Sequence, residues 1–201
     1  MPRDGTATRE RILDAAQRLV IEHGFSATTV DAVLAAAQTS KGAFFNHFPS
    51  KDDLAVALVE RYAANDIDFL DEALSAARSA GDDAPARVIA FLQFFEDAAD
   101  ELVAETVGCL YASALAEMEL TVAGTQIPIE RAIDEWRRAY ADLLRDAIPS
   151  FSAADLNDLA DQLWVTFEGG YLLARATNDP SHLRKQLRMH KLAVSALISQ
   201  D

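Results

Sequence analysis

One short stretch of the chain carries groups suited to holding a polyanion. Thr39 and Ser40 offer hydroxyls that can cap a helix, Lys41 a flexible cation, Gly42 a backbone with no side chain in the way, and His47 and Lys51 two further basic groups. A helix starting at Lys41 would present first-turn amides that favour a phosphate. Lys41 could reach a phosphate or a base edge. Catalytic chemistry finds no comparable grouping. The four histidines are scattered, with no H-E-x-x-H and no paired E-x-x-H. The adjacent acids Asp100-Glu101 and Asp134-Glu135 diverge around a helix and read as solvated faces. The single cysteine, Cys109, can form no internal disulfide and cannot alone hold a structural zinc. It lies in the apolar run Val107-Gly108-Cys109-Leu110-Tyr111 with no base beside it, as a small buried hydrophobe does. An enzyme, a metal site and a resident cofactor are therefore not expected.

The elements that must position these groups read as helix nearly throughout. Gly and Pro number only 8 and 6, and apolar residues recur every three or four positions. The expectation is an all-α chain of about nine helices, at 6–23, 28–37, a short one after the Gln38-Thr39-Ser40 turn ending at Pro49, then 51–79, 85–101, 105–120, 128–148, 153–177 and 180–200. Gly24 is a left-handed stop, Thr28 with Asp31 and Ser50 with Asp53 read as capping boxes, and Pro85, Pro128 and Pro180 stand near first-turn positions. The stretch 121–127 lacks a period and reads as a loop.

Composition supports a packed globular protein: 201 residues, 50% apolar and 25% charged. The longest run without a charge, Thr106 to Ala116, is too short for a bilayer span, and residues 1–24 build no continuous apolar core for export. A cytoplasmic location without membrane contact is expected. The net charge of −14 argues at first against nucleic acid. Divided at residue 62, however, the chain holds −1 before the division and −13 after it. The N-terminal quarter is near neutral, and two parts are implied, with residues 1–50 as a small module, 51–80 as a long connecting helix and 81–201 as a larger helical domain.

A short helix, a tight turn and a second short helix, braced by a longer one, is the plan of a helix-turn-helix. Gly24-Phe25, Thr28-Thr29-Val30, Val33, Ser40-Lys41-Gly42-Ala43-Phe44-Phe45-Asn46-His47-Phe48 and Lys51-Asp52-Asp53-Leu54 together resemble the signature of the TetR/AcrR family. The resemblance implies an all-helical homodimer with an N-terminal DNA-binding domain and a larger C-terminal domain that dimerises and takes a small-molecule inducer. It places Thr29, Thr39, Ser40, Lys41, Gly42, Phe44, Phe45, Asn46, His47 and Lys51 at double-stranded operator DNA, with Thr29, His47 and Lys51 on the backbone. Phe44 reads either as core or as an apolar contact to a thymine methyl, and Phe25 and Phe48 as mini-core. Gln38 replaces the family's turn glycine and must carry a left-handed backbone or change the turn. Thr39 replaces a small apolar residue. Phe45 replaces tyrosine, so one phosphate hydrogen bond worth about 1 kcal/mol is missing.

Beyond residue 80, aromatic residues recur at helical spacings that usually mean core. A sensor must also enclose an apolar cavity, and Phe91, Phe95, Cys109, Trp136 and Phe167 are the set from which its lining would come, leaning towards an apolar or aromatic effector. The segment Phe167-Glu168-Gly169-Gly170-Tyr171-Leu172-Leu173-Ala174-Arg175 is similar to one at the dimer interface of some family members. Paired glycines inside a helix cost about 1 kcal/mol each against alanine, so close helix contact is expected there. Trp164, Gly169, Gly170 and Tyr171, with Leu187, His190 and Val194 on the last helix, are the candidate interface. The reading is a ligand-responsive regulator, a repressor by preference. An activator using the same module, and a helical adaptor binding a protein through the acidic surface, are the alternatives.

Overall fold

The computed structural model describes residues 5–105, 111 and 122–201. Among these the chain is all-α, with eight helices: α1 Gly5–His23, α2 Val30–Ala37, α3 Lys41–His47, α4 Lys51–Ser79, α5 Ala84–Glu105, α6 Gln126–Ala147, α7 Ala153–Thr177 and α8 Ser181–Ile198. α5 continues without a break through Glu105, past the end expected at 101, and of the helix expected at 105–120 only Glu105 and Tyr111 are described; Cys109 lies outside the described residues. No described helix is long and apolar enough to cross a membrane.

The chain divides into two compact units, the first running to residue 64 and taking in 111 and 122–130, the second comprising 65–105 and 131–201. In the first, α1 buries Ile12, Leu13, Ala16 and Val20, a stripe set by the helical period. It stops where Gly24 turns left-handed at φ 83° and donates to the Val20 carbonyl at 2.8 Å. Phe25, Phe44, Phe48, Leu54 and Leu58 fill the space inside the unit. Arg61 ties α4 to α1 through Glu10 at 3.2 Å, Asp14 at 2.7 Å and Gln17 at 2.7 Å.

In the second unit the core is built from Phe91, Leu92 and Phe95 on α5, Tyr140 and Leu144 on α6, Leu163 on α7, and Leu183 and Leu187 on α8. α8 lies against both α5 and α7. The Ser152 hydroxyl accepts from the Asp155 amide, and the Asp155 carboxylate accepts from Ser152, a reciprocal cap that also holds the Asp155 carboxyl below its usual pKa. Asn178 closes α7 in a left-handed conformation at φ 54°. Asp179 accepts from the Ser181 hydroxyl and amide at the entrance to α8, which brings its pKa down to about 2.

Two expected caps resolve differently. Ser50 and Asp53 bond reciprocally, the Asp53 amide to the Ser50 hydroxyl at 3.1 Å and that hydroxyl to the Asp53 carboxylate at 2.7 Å. Thr28 does not start α2. Its buried hydroxyl donates to the Gly24 carbonyl at 2.8 Å, and Thr29 is the cap, accepting from the Ala32 amide at 3.1 Å. Thr28 is buried with its hydroxyl held by the carbonyl that ends α1, so it is not available to cap α2.

Candidate functional site

The turn between α2 and α3 is three residues, Gln38 to Ser40. Gln38 adopts φ 51° and ψ 48°, the left-handed conformation that glycine would take without strain. The Gln38 amide donates to Ala35 at 3.3 Å and the Thr39 amide to Leu34 at 3.1 Å, so two terminal carbonyls of α2 are satisfied. These bonds offset the cost of a side chain at that φ. Ser40 then caps α3, accepting from the Ala43 amide at 3.2 Å.

α3 has a buried side and a bare side. Phe44 is 0% exposed and packs on Phe48 and edge-on to Phe45 at 5.8 and 5.2 Å between ring centroids. Of its two readings the core one holds, since a side chain without accessible surface cannot meet a thymine methyl. Lys41, Gly42, Phe45 and Asn46 are exposed, as are Thr29 and Ser40, while Thr39 and His47 are half-buried. Lys41 has no ion-pair partner among the described residues. A Cβ added at Gly42 would meet nothing within 4 Å. Neither φ nor internal packing requires glycine there, and glycine weakens a helix.

Lys51 behaves otherwise than expected. Its ammonium donates to the Phe25 carbonyl at 2.7 Å and sits 4.2 Å from the centroid of the Phe25 ring. The charge expected at a phosphate is committed within the module, because the aliphatic stem spans from the first turn of α4 to the residue after Gly24.

In the second unit four of the five candidate lining residues meet. Phe95 lies 4.9 Å from Phe91, 5.1 Å from Trp136 and 5.3 Å from Phe167, and Trp136 lies 5.7 Å from Phe167. Tyr140, one turn after Trp136, stacks on Phe91, and its hydroxyl shares a hydrogen bond of 3.2 Å with His190 Nε2. Burial drives the Tyr140 pKa well up and the His190 pKa down to about 4. Trp136 Nε1 is buried and has no hydrogen-bond partner among the described residues. Nothing in the sequence distinguishes this indole from Trp164. A separate cleft of about 690 Å³ opens between α5, α7 and α8, with Asp100, Tyr171, Arg175 and Arg184 on its walls, and none of the four aromatics lines it.

The stripe expected at an interface is the chain's own core. Gly170, Leu187, His190 and Val194 are buried within this single chain, because the dominant apolar face of α8 packs inward. Trp164 and Tyr171 are half-buried and Gly169 is exposed. The exposed apolar side chains are others: Val165, Leu172 and Leu173 on α7, and Met189 and Leu192 on α8. Sequence periodicity identified the first face of α8 and missed the second.

Residues 12–58 match the family described as bacterial regulatory proteins, tetR family, and residues 84–190 match the tetracyclin repressor-like C-terminal domain. The chain is 28% identical over 191 residues to the transcriptional regulator AcuR of Cereibacter sphaeroides, covering 92% of this chain and 84% of that one. It is 24% identical over 172 residues to the HTH-type transcriptional repressor DhaR of a Mycobacterium species, covering 83% and 82%. The crystal structure of the regulatory protein TetR from Rhodobacter sphaeroides superposes with a TM-score of 0.73 at 28% identity, over 90% of this chain and 96% of that one. With a family match at each end, relatives along almost its whole length and α2 and α3 arranged as a helix-turn-helix, the chain belongs to the TetR family of bacterial transcriptional regulators.

Proposed function

We propose that the protein is a ligand-responsive repressor that binds a near-palindromic operator as a homodimer and is released by a small molecule held in its C-terminal part. In this reading residues 1–50 read DNA, 51–80 connect, and 81–201 bind the effector and the second copy. The observation that carries it is the bare side of α3: an unpaired Lys41, an exposed Asn46 and a Gly42 that no internal contact explains. A glycine kept in a helix facing open space suits the approach of a duplex backbone. Thr29, Ser40 and His47 position the module on phosphates, and Lys41 and Asn46 reach base edges. Lys51 holds Phe25 and so supports the module from within.

The second copy fits the outward face of α7 and α8, where Leu172 is 70% exposed, Met189 60% and Val165 59%. An antiparallel four-helix contact would cover these side chains in both copies. Two recognition helices must then sit about 34 Å apart, or a multiple of it, to enter successive major grooves. An effector that favours another separation competes with operator, and the two antagonise each other reciprocally by about 1 to 3 kcal/mol. α4 runs continuously from the first unit into the second and is the element through which that preference is passed. The repressor DhaR among its relatives supports the sign of regulation.

Selection of duplexes from a random pool by the full-length protein tests this reading. The expected result is one motif of two inverted half-sites, lost with Lys41→Ala. A pool with no enriched motif, or a single asymmetric half-site, would contradict it.

A further inference from the structure

We propose that the effector is a neutral carbonyl compound, a ketone, ester or amide with an apolar or aromatic body, whose oxygen accepts a hydrogen bond from Trp136 Nε1. This rests on the reading of the C-terminal part as an effector domain and adds the chemistry of the ligand. Buried tryptophan N–H groups ordinarily find a partner. Along α6 the contrast is direct, since Tyr140 has His190 at 3.2 Å, while the indole one turn earlier has no partner among the described residues although only 6% of Trp136 is exposed. The centroid of its ring lies 5.1 Å from that of Phe95, 5.7 Å from that of Phe167 and 6.1 Å from that of Trp164. A ring face is a weak acceptor at best. A donor left open among apolar walls is the arrangement by which a pocket rewards one oriented acceptor and rejects an analogue that lacks it.

The charge of the ligand follows from the same surroundings. A carboxylate taken out of water needs a cation or several donors. The basic side chains adjacent to this region on α6 and α8 are committed, Arg137 to Asp161 at 2.8 Å and Asp134 at 2.9 Å, and Lys191 to Glu96 and Gln93. One neutral N–H suits a neutral oxygen. Phe167 and Trp164, half-buried on α7, are the members of the cluster nearest to solvent, and in this proposal the ligand enters past them.

The test uses the full-length protein with indole nitrogens labelled with ¹⁵N, and three probes: acetophenone, α-methylstyrene of matched shape with a methylene in place of oxygen, and benzoate. The Trp136 resonance is assigned by its disappearance when Trp136 is replaced with 3-benzothienylalanine, which exchanges N–H for sulfur in the same outline. The expected result is a downfield shift of the Trp136 N–H with acetophenone, and affinity about 10-fold above that for α-methylstyrene and benzoate, a margin that vanishes in the sulfur variant. Equal affinities for the matched pair, tighter binding of benzoate, an unmoved Trp136 resonance or no binding at millimolar probe would each overturn the proposal. Selective DNA binding is measured on the same preparation. A protein that binds its operator but ignores acetophenone defeats only this inference, and one that takes up acetophenone but selects no DNA defeats only the regulator.

Discussion

Gly169 and Gly170 stand side by side in α7, and the structure assigns them opposite responses to the same substitution. A Cβ at Gly170 would lie 2.8 Å from Leu183 Cδ1 and 3.0 Å from Leu183 Cα. Leu183 is fully buried and its Cα belongs to α8, so relief requires the two helices to separate by a few tenths of an ångström. Overpacking of this kind costs roughly 1–3 kcal/mol. The gain in helix propensity from glycine to alanine is about 1 kcal/mol, leaving Gly170→Ala destabilising by up to about 2 kcal/mol. At Gly169 a Cβ would meet nothing within 4 Å, so Gly169→Ala keeps the propensity gain and stabilises by up to about 1 kcal/mol. For a chain of this length 1 kcal/mol moves Tm by about 2–4 °C. Thermal unfolding of both variants, at a dilution where sedimentation shows a monomer, is expected to give Tm shifts of opposite sign. Shifts of the same sign and size would refute the assignment of close contact to Gly170 alone. Raising the protein concentration until dimers form then reads the proposed interface, since Gly169 lies on the face that a second copy would cover.

Other consequences are open to direct measurement. Gln38→Gly relieves a left-handed side chain and is expected to raise stability by up to about 1 kcal/mol in urea unfolding, with DNA selectivity unchanged. His190 is held neutral by burial, with its pKa lowered to about 4 against an ordinary 6.5. The unfolded chain therefore binds the extra proton first, and the stability due to neutral His190 is complete above pH 6.5 and falls by about 3 kcal/mol as the pH drops towards 4. Urea midpoints across that window check this, and His190→Gln is expected to flatten the profile. Phe45 is exposed on α3, and Phe45→Tyr restores a hydroxyl where the family commonly has one; gel-shift titration is expected to show up to about 10-fold tighter binding to operator and scrambled duplex alike.

How far the sequence reached depends on whether a feature is local. Gly24 and Ser50 with Asp53 act within four residues, and α1 ends and α4 begins close to where these signals put them. Of the two outcomes open to Gln38 in place of a turn glycine, a left-handed backbone or a changed turn, the structure takes the first. Features decided by a distant partner were not legible. Lys51 turns inward because the Phe25 carbonyl, 26 residues earlier, comes within 2.7 Å of its ammonium. The stripe of Leu187, His190 and Val194 gave the right periodicity and the wrong neighbour, since a pattern of spacing marks a face as apolar without saying what covers it. Paired glycines signalled close contact, yet only the packing of Leu183 shows that one of the two makes it. Phe91, Phe95, Trp136 and Phe167 were separate entries in three helical patterns, and their convergence is a product of how α5, α6 and α7 pack.

Whether the bare side of α3 reads DNA is decided by titrating the full-length protein against labelled duplex from upstream of its own coding region. A scrambled duplex serves as control, and both are titrated at two salt concentrations. Selective binding to the upstream duplex is expected, weakening steeply with salt as phosphate contacts release counterions, and Lys41→Ala is expected to remove the preference for that duplex over the scrambled one. Affinity equal for the two duplexes, or indifferent to salt and to Lys41, would contradict this role for α3.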